Sequence, residues 1–333
     1  MTASAQVWDG NDPAAIERGA ALLARGELLA FPTETVYGLG ARADDDTAVA
    51  KIYAAKGRPA AHPLIVHLTD TEAARNFAAE LSPLAQRLMA AFWPGPLTLI
   101  VPRAPAVAAA AAGGQNSIGL RCPAHPVARA LLAAAERHGV PGVAAPSANR
   151  YGHVSPTRAA HVVDEFAGAV PVLDGGACPI GIESSIVDTT RGHAVLLRPG
   201  LIEAARIEAA AGERLLARDE AAPRASGTLP AHYAPNARLR LMDADMLRRA
   251  FAVLGPGGLK GMTLAVYSRT VMVPQGIRQR RMPGTAAGAA HDLFAALRDF
   301  DAEGVGLIWV ETPPPAAEWD GVRDRLQRAA AAA

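Results

Sequence analysis

Cysteine, lysine and aromatic residues are all scarce in this chain, and each shortage narrows what the protein does. Only Cys122 and Cys178 occur in 333 residues. They lack metal-ligand spacing and do not form a disulfide framework, which fits a reducing cytoplasm. Neither sign of charge dominates. The net charge is +1, so no global field recruits nucleic acid or an anionic membrane, and any basic patch is local. The longest apolar tract, the alanine-rich 106–112, is far too short to span a bilayer. No basic segment followed by an apolar run opens the chain, so no secretory signal is expected. Missing motifs exclude further classes. There is no GxxxxGK[ST] phosphate loop, and Gly38-Leu39-Gly40 lacks the third glycine of a dinucleotide fingerprint. No GxSxG elbow surrounds Ser147, which argues against Ser147 and His153 as nucleophile and base. His62 and His67, five apart on a strand-like stretch, face opposite sides, against a shared zinc.

Lysine is the most telling shortage. It occurs at positions 51, 56 and 260 only, against thirty arginines. Two of the three stand at or near the turn Lys56-Gly57-Arg58-Pro59. A compact ammonium beside a planar guanidinium suits the gripping of phosphates. The plain alternative is a solvated helix C-terminus whose cations complement the dipole. Against that, His62, Pro63 and an apolar strand follow at once and place the cations at a strand entrance.

The length allows two domains, each with its own core. Asp12-Pro13 signals a helix start, with a helix to about residue 25 closed by Gly26. A second helix is expected from 44–46 to 56, stopped by Gly57. Strands are expected at 28–31, 63–68, 97–101, 117–121, 142–145, 170–173, 185–188 and 195–197, and helices at 81–92 and 126–138. Strands and helices alternate unevenly, which predicts a mixed sheet. Residues 202–218 read as helical. Residues 219–231 carry Pro223, Gly227 and Pro230 without an apolar period and read as a linker. From 238 the order strand, helix (244–254), strand (262–267), helix (286–300), strand (306–311), helix (318–330) predicts a small Rossmann-like three-layer α/β domain.

Several strand ends carry polar groups, the place where α/β sheets bind ligands. Ser117-Ile118-Gly119-Leu120-Arg121 and Ala145-Pro146-Ser147-Ala148-Asn149 both have this form. A strand-borne Arg121 needs an anion, either a substrate carboxylate or an internal Asp or Glu. Thr33-Glu34-Thr35 before Tyr37-Gly38-Leu39-Gly40 reads either as a plain turn or as strand-end hydroxyls for a small polar substrate.

Taken in order, PTETVYGLG (32–40), KGRP (56–59) with PLIVHL (63–68), PGPLTLIV (94–101), IGLR (118–121), APSAN (145–149) with Ser155-Pro156-Thr157, GIESS-IVD (181–188) and LLRPG (196–200) resemble the threonylcarbamoyl-AMP synthase family, the YrdC-like enzymes of tRNA modification. The resemblance covers about residues 10–205. HYAP (232–235) and the α/β tail extend it to the family's long, two-domain form. It implies a YrdC-like catalytic domain at 1–205 with a twisted mixed sheet around a cleft, a linker or active-site lid at 206–236 and a C-terminal α/β domain at 237–333. The implied reaction joins L-threonine, bicarbonate or carbon dioxide, and ATP into threonylcarbamoyl-AMP and pyrophosphate. A downstream transferase complex, with transient tRNA contact, then modifies tRNAs that read codons beginning with A.

By motif position, Thr35, His67, Arg121, Ala145 and Ser185 would line the threonine pocket. Lys56, Arg58, His62, Ser117, Ser147, Asn149, Ser155 and Arg198 would hold ATP, with Tyr233 covering the nucleotide. Lys56 and Arg58 would be the catalytic cations, and Mg²⁺ would arrive with ATP, without a tightly bound cofactor. Three positions depart from the family pattern: Ser184-Ser185 where Ser-Thr is frequent, Ala145 where some members carry Thr, and a lid without extra basic and aromatic residues before HYAP. Two other classes were weighed. An RNA-binding module is disfavoured by near-neutral charge and by the lack of aromatics interleaved with Lys or Arg. A carbamoyl-phosphate-using transferase is disfavoured by the missing zinc-finger and acylphosphatase segments.

Overall fold

The computed structural model describes residues 6–254 and 263–332. Lys260, and Met262 at the start of an expected strand, lie outside the described residues. The chain divides into two compact units. The first comprises Met1–Tyr151 and Ser155–Thr228, the second Gly152–Val154 and Leu229–Ala333.

In the first unit the elements run β1 (Val7–Asp9), α1 (Pro13–Ala24), β2 (Leu29–Pro32), β3 (Tyr37–Arg42), α2 (Asp46–Lys56), β4 (Ile65–His67), α3 (Pro83–Phe92), β5 (Leu97–Pro102) and β6 (Ser117–Arg121). They continue as α4 (Pro126–Arg137), β7 (Val143–Ala144), α5 (Ala159–Phe166), β8 (Val172–Asp174), β9 (Ser185–Asp188), β10 (Val195–Arg198), α6 (Ala204–Ala211) and β11 (Leu216–Ala217). The strands form one eleven-stranded sheet, ordered β1-β8-β2-β3-β7-β4-β6-β5-β9-β10-β11. It is mixed, as the sequence predicts. β4 lies parallel to β6 and β5 to β9, while β7 runs antiparallel to both of its neighbours, β3 and β4.

Local signals set the helix ends. The Asp12 carboxylate accepts from the Ala14 amide at 2.9 Å, and Pro13 opens α1. Asp45 accepts from the Thr47 amide at 2.8 Å, and Gly57 closes α2 at φ 62°, a left-handed conformation that costs glycine little. Successive strand side chains point to opposite faces. Leu29 and Phe31 pack with Ile16, Leu23 and Leu131 of α1 and α4. Ala30 and Leu39 join Ile52, Leu88 and Val162 of α2, α3 and α5. A smaller apolar patch of Ile65, Ile100, Ile186, Val195 and Leu197 is met by Ala222 and Ala225.

The structure differs from the sequence expectations at three places. Thr33-Glu34-Thr35 lie in the turn weighed for them, and residues 37–40, to which no element was assigned, are the first part of β3. Its glycines serve close packing, since a Cβ at Gly40 would stand 2.8 Å from the Phe31 ring and 2.9 Å from Val143. The helix expected over 202–218 ends at Ala211, where Gly212 turns left-handed at φ 73°, and the chain resumes as β11. In the second unit an arginine-rich strand without an apolar pattern was overlooked.

That second unit runs β12 (Arg238–Met242), α7 (Ala244–Leu254), β13 (Leu264–Ser268), β14 (Arg278–Arg281), α8 (Ala286–Ala302), β15 (Leu307–Glu311) and α9 (Asp320–Ala330). Its sheet, ordered β12-β15-β13-β14, is parallel throughout. Val266 and Trp309 pack with Leu247 and Phe251 of α7. From the opposite face the Tyr267 hydroxyl donates to Asp292 of α8 at 3.1 Å. This is the three-layer arrangement the sequence predicts.

Candidate active site

Alternation of parallel and antiparallel neighbours brings six separated segments together on the first unit's sheet. Thr35 precedes β3, His67 ends β4, Arg121 ends β6, Ala145 follows β7, Ser185 begins β9 and Arg198 ends β10. His67 and Arg121 share one rung of the parallel β4–β6 pair.

Arg121 organises the first cluster. Its Nη1 donates to the Thr35 hydroxyl at 2.9 Å and its Nε to the Gly95 carbonyl at 3.3 Å. Its Nη2 lies 2.6 Å from Glu34 Oε1, an ion pair with both side chains buried. Of the two anions weighed for Arg121, the internal carboxylate is present in the fold. Thr33 sets the loop's shape. Its hydroxyl donates to the Val36 carbonyl at 2.7 Å, so the 2.8 Å contact with Thr35 has the Thr35 hydroxyl as donor. Thr35 thereby accepts from Arg121 and donates to Thr33.

His67 is buried; the Ile65 and Val143 backbones lie beside its ring, but among the described residues its Nδ1 makes no hydrogen bond of good geometry. Burial, and secondarily the Arg121 charge, push its pKa down to about 3, so the ring is neutral near pH 7. Ser185 is fully buried and its Oγ likewise has no partner. Buried polar atoms are nearly always satisfied, so these two exceptions, on strands separated by β6 and β5, each mark a polar position of the sheet. Gly200 lets the chain pass here, since a Cβ on it would stand 2.5 Å from the Ser185 nitrogen and 2.8 Å from its Oγ. Ala145 is buried, and its amide donates to the Ile65 carbonyl at 2.9 Å.

The second cluster is cationic. Lys56, the last residue of α2, is buried; its Nζ donates to the Ser147 carbonyl at 2.6 Å and also to the Asn149 carbonyl. The lysine turn and the APSAN loop therefore touch, so they form one wall of the site instead of two facing walls. Arg58 is also buried. Its Nε donates to the His62 carbonyl at 3.2 Å, its Nη2 to the Pro63 carbonyl at 2.9 Å, and its guanidinium lies 5.8 Å from the Tyr151 ring centre. His62 Nδ1 is 2.8 Å from the Tyr151 hydroxyl. Burial, then Arg58 and Arg224, lower its pKa.

Arg198 is buried and holds the Ser184 carbonyl through Nε at 3.1 Å and Nη2 at 2.9 Å. Both arginines reach one residue of the segment expected to be a linker. Arg58 Nη2 donates to Ser226 Oγ at 3.3 Å, and Arg198 Nη1 to the Ser226 carbonyl at 2.9 Å. Ser155, fully buried, donates its hydroxyl to Glu183.

Not every candidate joins these clusters. Ser117 begins β6, at the opposite end of that strand from Arg121, and no hydrogen bond links it to the others. Tyr233 belongs to the second unit. There it is buried at φ 62°, stacked on Phe294 with ring centres 5.4 Å apart, and the Arg325 guanidinium lies 5.4 Å from its ring centre. Glu34, Tyr151, Glu183 and Ser226 are partners that the sequence reading did not name. Glu34 was within reach, since a buried arginine requires an anion and the nearest motif carboxylate stands between Thr33 and Thr35. No pattern in the sequence pointed to Ser226.

Residues 21–200 match the Sua5/YciO/YrdC family model, described as telomere recombination, and residues 202–331 match the threonylcarbamoyl-AMP synthase C-terminal domain. The chain belongs to the threonylcarbamoyl-AMP synthase family. Among its relatives, the threonylcarbamoyl-AMP synthase of Bacillus subtilis is 38% identical, the match covering 96% of this chain and 94% of that protein. The corresponding synthase of Pyrococcus abyssi is 36% identical over 94% of this chain and 93% of its own length. A crystal structure of P. abyssi Sua5 complexed with L-threonine superposes with a TM-score of 0.87 at 35% identity, covering 96% and 95% of the two chains. The fold expected from the family, a mixed-sheet domain with a small parallel α/β domain, is the fold observed.

Proposed function

We propose that this chain is a threonylcarbamoyl-AMP synthase, forming L-threonylcarbamoyladenylate and pyrophosphate from L-threonine, bicarbonate or carbon dioxide, and ATP. The observation that carries the reading is the Arg121 cluster, where a guanidinium donates to the Thr35 hydroxyl and shares a rung with a neutral, buried His67, with the unpartnered Ser185 Oγ two strands beyond β6 in the same sheet. A small zwitterion bearing a hydroxyl needs such a set of donors and acceptors. Buried Lys56, Arg58 and Arg198 supply positive charge for a triphosphate.

In this mechanism the threonine amine captures carbon dioxide and loses a proton to become a carbamate. A carbamate oxygen then bonds to the α-phosphorus as the bond to the pyrophosphate oxygen breaks. The protein contributes no covalent nucleophile. Its work is to hold the reactants in line and stabilise charge on the departing pyrophosphate, with Mg²⁺ entering alongside ATP. Lys56 and Arg58 are the catalytic cations, and His62, Ser147, Asn149 and Ser155 shape the ATP side. Thr35, Ala145 and Ser185 form the threonine pocket with His67 and Arg121. Selection of threonine over serine rests on a methyl group, worth about 1–3 kcal/mol in a fitted pocket.

Both the carbamate and the mixed anhydride are lost to water, so the segment around Ser226, held by Arg58 and Arg198, acts as a solvent-excluding cover. The product passes to a tRNA-modifying transferase complex in the cytoplasm. Among the described residues no helix is long and apolar enough to cross a membrane.

The test is pyrophosphate release from ATP, expected to require both threonine and bicarbonate. Release that persists unchanged without threonine would end this assignment. Lys56→Ala and Arg58→Ala should each lower turnover more than about tenfold, the loss of roughly 1.4 kcal/mol of transition-state stabilisation or more. Wild-type rates in both variants would remove them from the site.

A further inference from the structure

The second unit provides acids for some arginines and none for others. Side chains along β14, Arg278-Gln279-Arg280-Arg281, alternate between the two faces of the sheet. On one face Arg278 pairs with Glu303 at 3.1 Å, and Arg280 pairs with Asp292 at 2.5 Å and also with Asp299. On the other face Gln279 and Arg281 line a cavity of about 170 Å³, together with Arg269 and the loop that follows β13. Among the described residues neither Arg269 nor Arg281 has an acidic side chain at ion-pair distance. The Arg269 guanidinium lies 5.9 Å from the Trp319 ring centre, and its buried Nε has no hydrogen-bond partner.

The loop is held in shape from below. Glu311, at the end of β15, accepts from the Ser268 hydroxyl and from the Arg269 and Thr270 amides, each at 2.7 Å, and from the Thr270 hydroxyl. Those amides and hydroxyls are committed, so an incoming ligand must be gripped by the guanidinium groups. Two guanidiniums against one carboxylate leave one net positive charge at the cavity. The position is the carboxyl end of parallel strands, where α/β sheets receive ligands. The volume is below the roughly 300–1,000 Å³ of pockets that enclose a drug-sized molecule. It suits a small oxyanion or one charged end of something larger. Planar guanidinium forks fit phosphate oxygens in particular.

We propose that this cavity is a phosphate-binding site of the second unit. Arg269 and Arg281, with the Gln279 amide, grip a phosphate group, and the rest of the ligand lies outside beside the exposed Met272. The phosphate of a free nucleotide and a phosphodiester of RNA share this chemistry, and the experiment separates them. The full-length protein, labelled with ¹⁵N, is titrated with inorganic phosphate and separately with a short single-stranded RNA. Signals of the Arg269 and Arg281 side chains and of the amides of residues 270–273 report on the cavity itself, apart from any binding in the first unit.

Saturable shifts are expected, weakened about tenfold in Arg281→Gln, which removes one charge-assisted contact from an exposed position on β14. Threonine-dependent pyrophosphate release should stay at the wild-type level in that variant. Shifts with both probes, or with phosphate alone, assign a small phosphate ligand, and shifts with RNA alone assign the phosphodiester. No shift with either probe, or shifts of undiminished affinity in the Arg269→Gln, Arg281→Gln double variant, overturns the proposal.

Discussion

Arg121 and Glu34 show how much one buried pair decides. The two side chains are almost entirely removed from water, at 4% and 7% exposure, and meet at 2.6 Å. Removing one partner of such a pair strands the other charge, which typically costs about 3–5 kcal/mol. Glu34→Gln is therefore expected to lower unfolding stability by about 3 kcal/mol in urea titrations. It should also raise the threonine KM, because Arg121 is then free to turn away from Thr35. A variant with unchanged stability and unchanged KM would mean that Arg121 is positioned by Gly95 and Thr35 alone. At this scale the sequence was partly legible. It pointed to Thr35, Arg121 and Lys56 as polar groups at strand ends or turns, and to His67 only through the family resemblance. It left open the partner of Arg121, because a carboxylate on another strand leaves no periodic trace.

At the scale of elements, caps and punctuation carried most of the information. Asp12-Pro13 and the Asp45-to-Gly57 pair mark α1 and α2 because side-chain acceptors and left-handed glycines act locally. β3 was harder to read, since glycines 38 and 40 weaken a strand signal by propensity, yet a Cβ at Gly40 would press on Phe31 and Val143 and one at Gly38 on Ala145. β14 was invisible to apolar patterning. Three of its four residues are arginine, and two of them are held by Asp292 and Asp299 of α8 and by Glu303, which caps it. Glycine as clearance also yields a prediction. A methyl at Gly200 would press on the Ser185 backbone at 2.5 Å, where no flexible side-chain end can yield. Gly200→Ala should cost about 1–3 kcal/mol of stability, as overpacking does. It should lower kcat/KM for threonine by a larger factor than it weakens ATP binding, measured by steady-state kinetics beside calorimetric titration. Equal losses for both substrates would detach Ser185 from the threonine side.

For the whole molecule, titration distinguishes the two units. His67 in the first unit has its pKa lowered to about 3 from 6.5 by burial and then by Arg121. The unfolded chain then binds more protons than the folded one between those values, so stability falls as pH drops below 6.5. The His67 share approaches 1.4 kcal/mol per pH unit within that window. Glu311 in the second unit behaves differently. Burial alone would raise its pKa, but hydrogen bonds from Thr270, Ser268 and Arg269 outweigh it and bring it to about 2. Its contribution is complete above 4.5 and is lost as pH falls through 2. Scanning calorimetry should show a first-unit transition that moves down between pH 6.5 and 5 and flattens in His67→Gln. Glu311→Gln should change stability at pH 7 and lose its effect in strong acid. A His67→Gln protein with the wild-type pH slope would refute the neutral buried ring.

Ser226 has a consequence of another kind. Its hydroxyl and carbonyl accept from Arg58 and Arg198, two of the cations assigned to ATP. Being part of the same chain, it is a tethered competitor, present at an effective concentration on the order of millimolar. An anion that takes those N–H groups must displace Ser226 first. If ATP binds at these two arginines as proposed, its apparent affinity would be the outcome of a contest within the chain and not the intrinsic grip of two guanidiniums, and its arrival would free Ser226 from them.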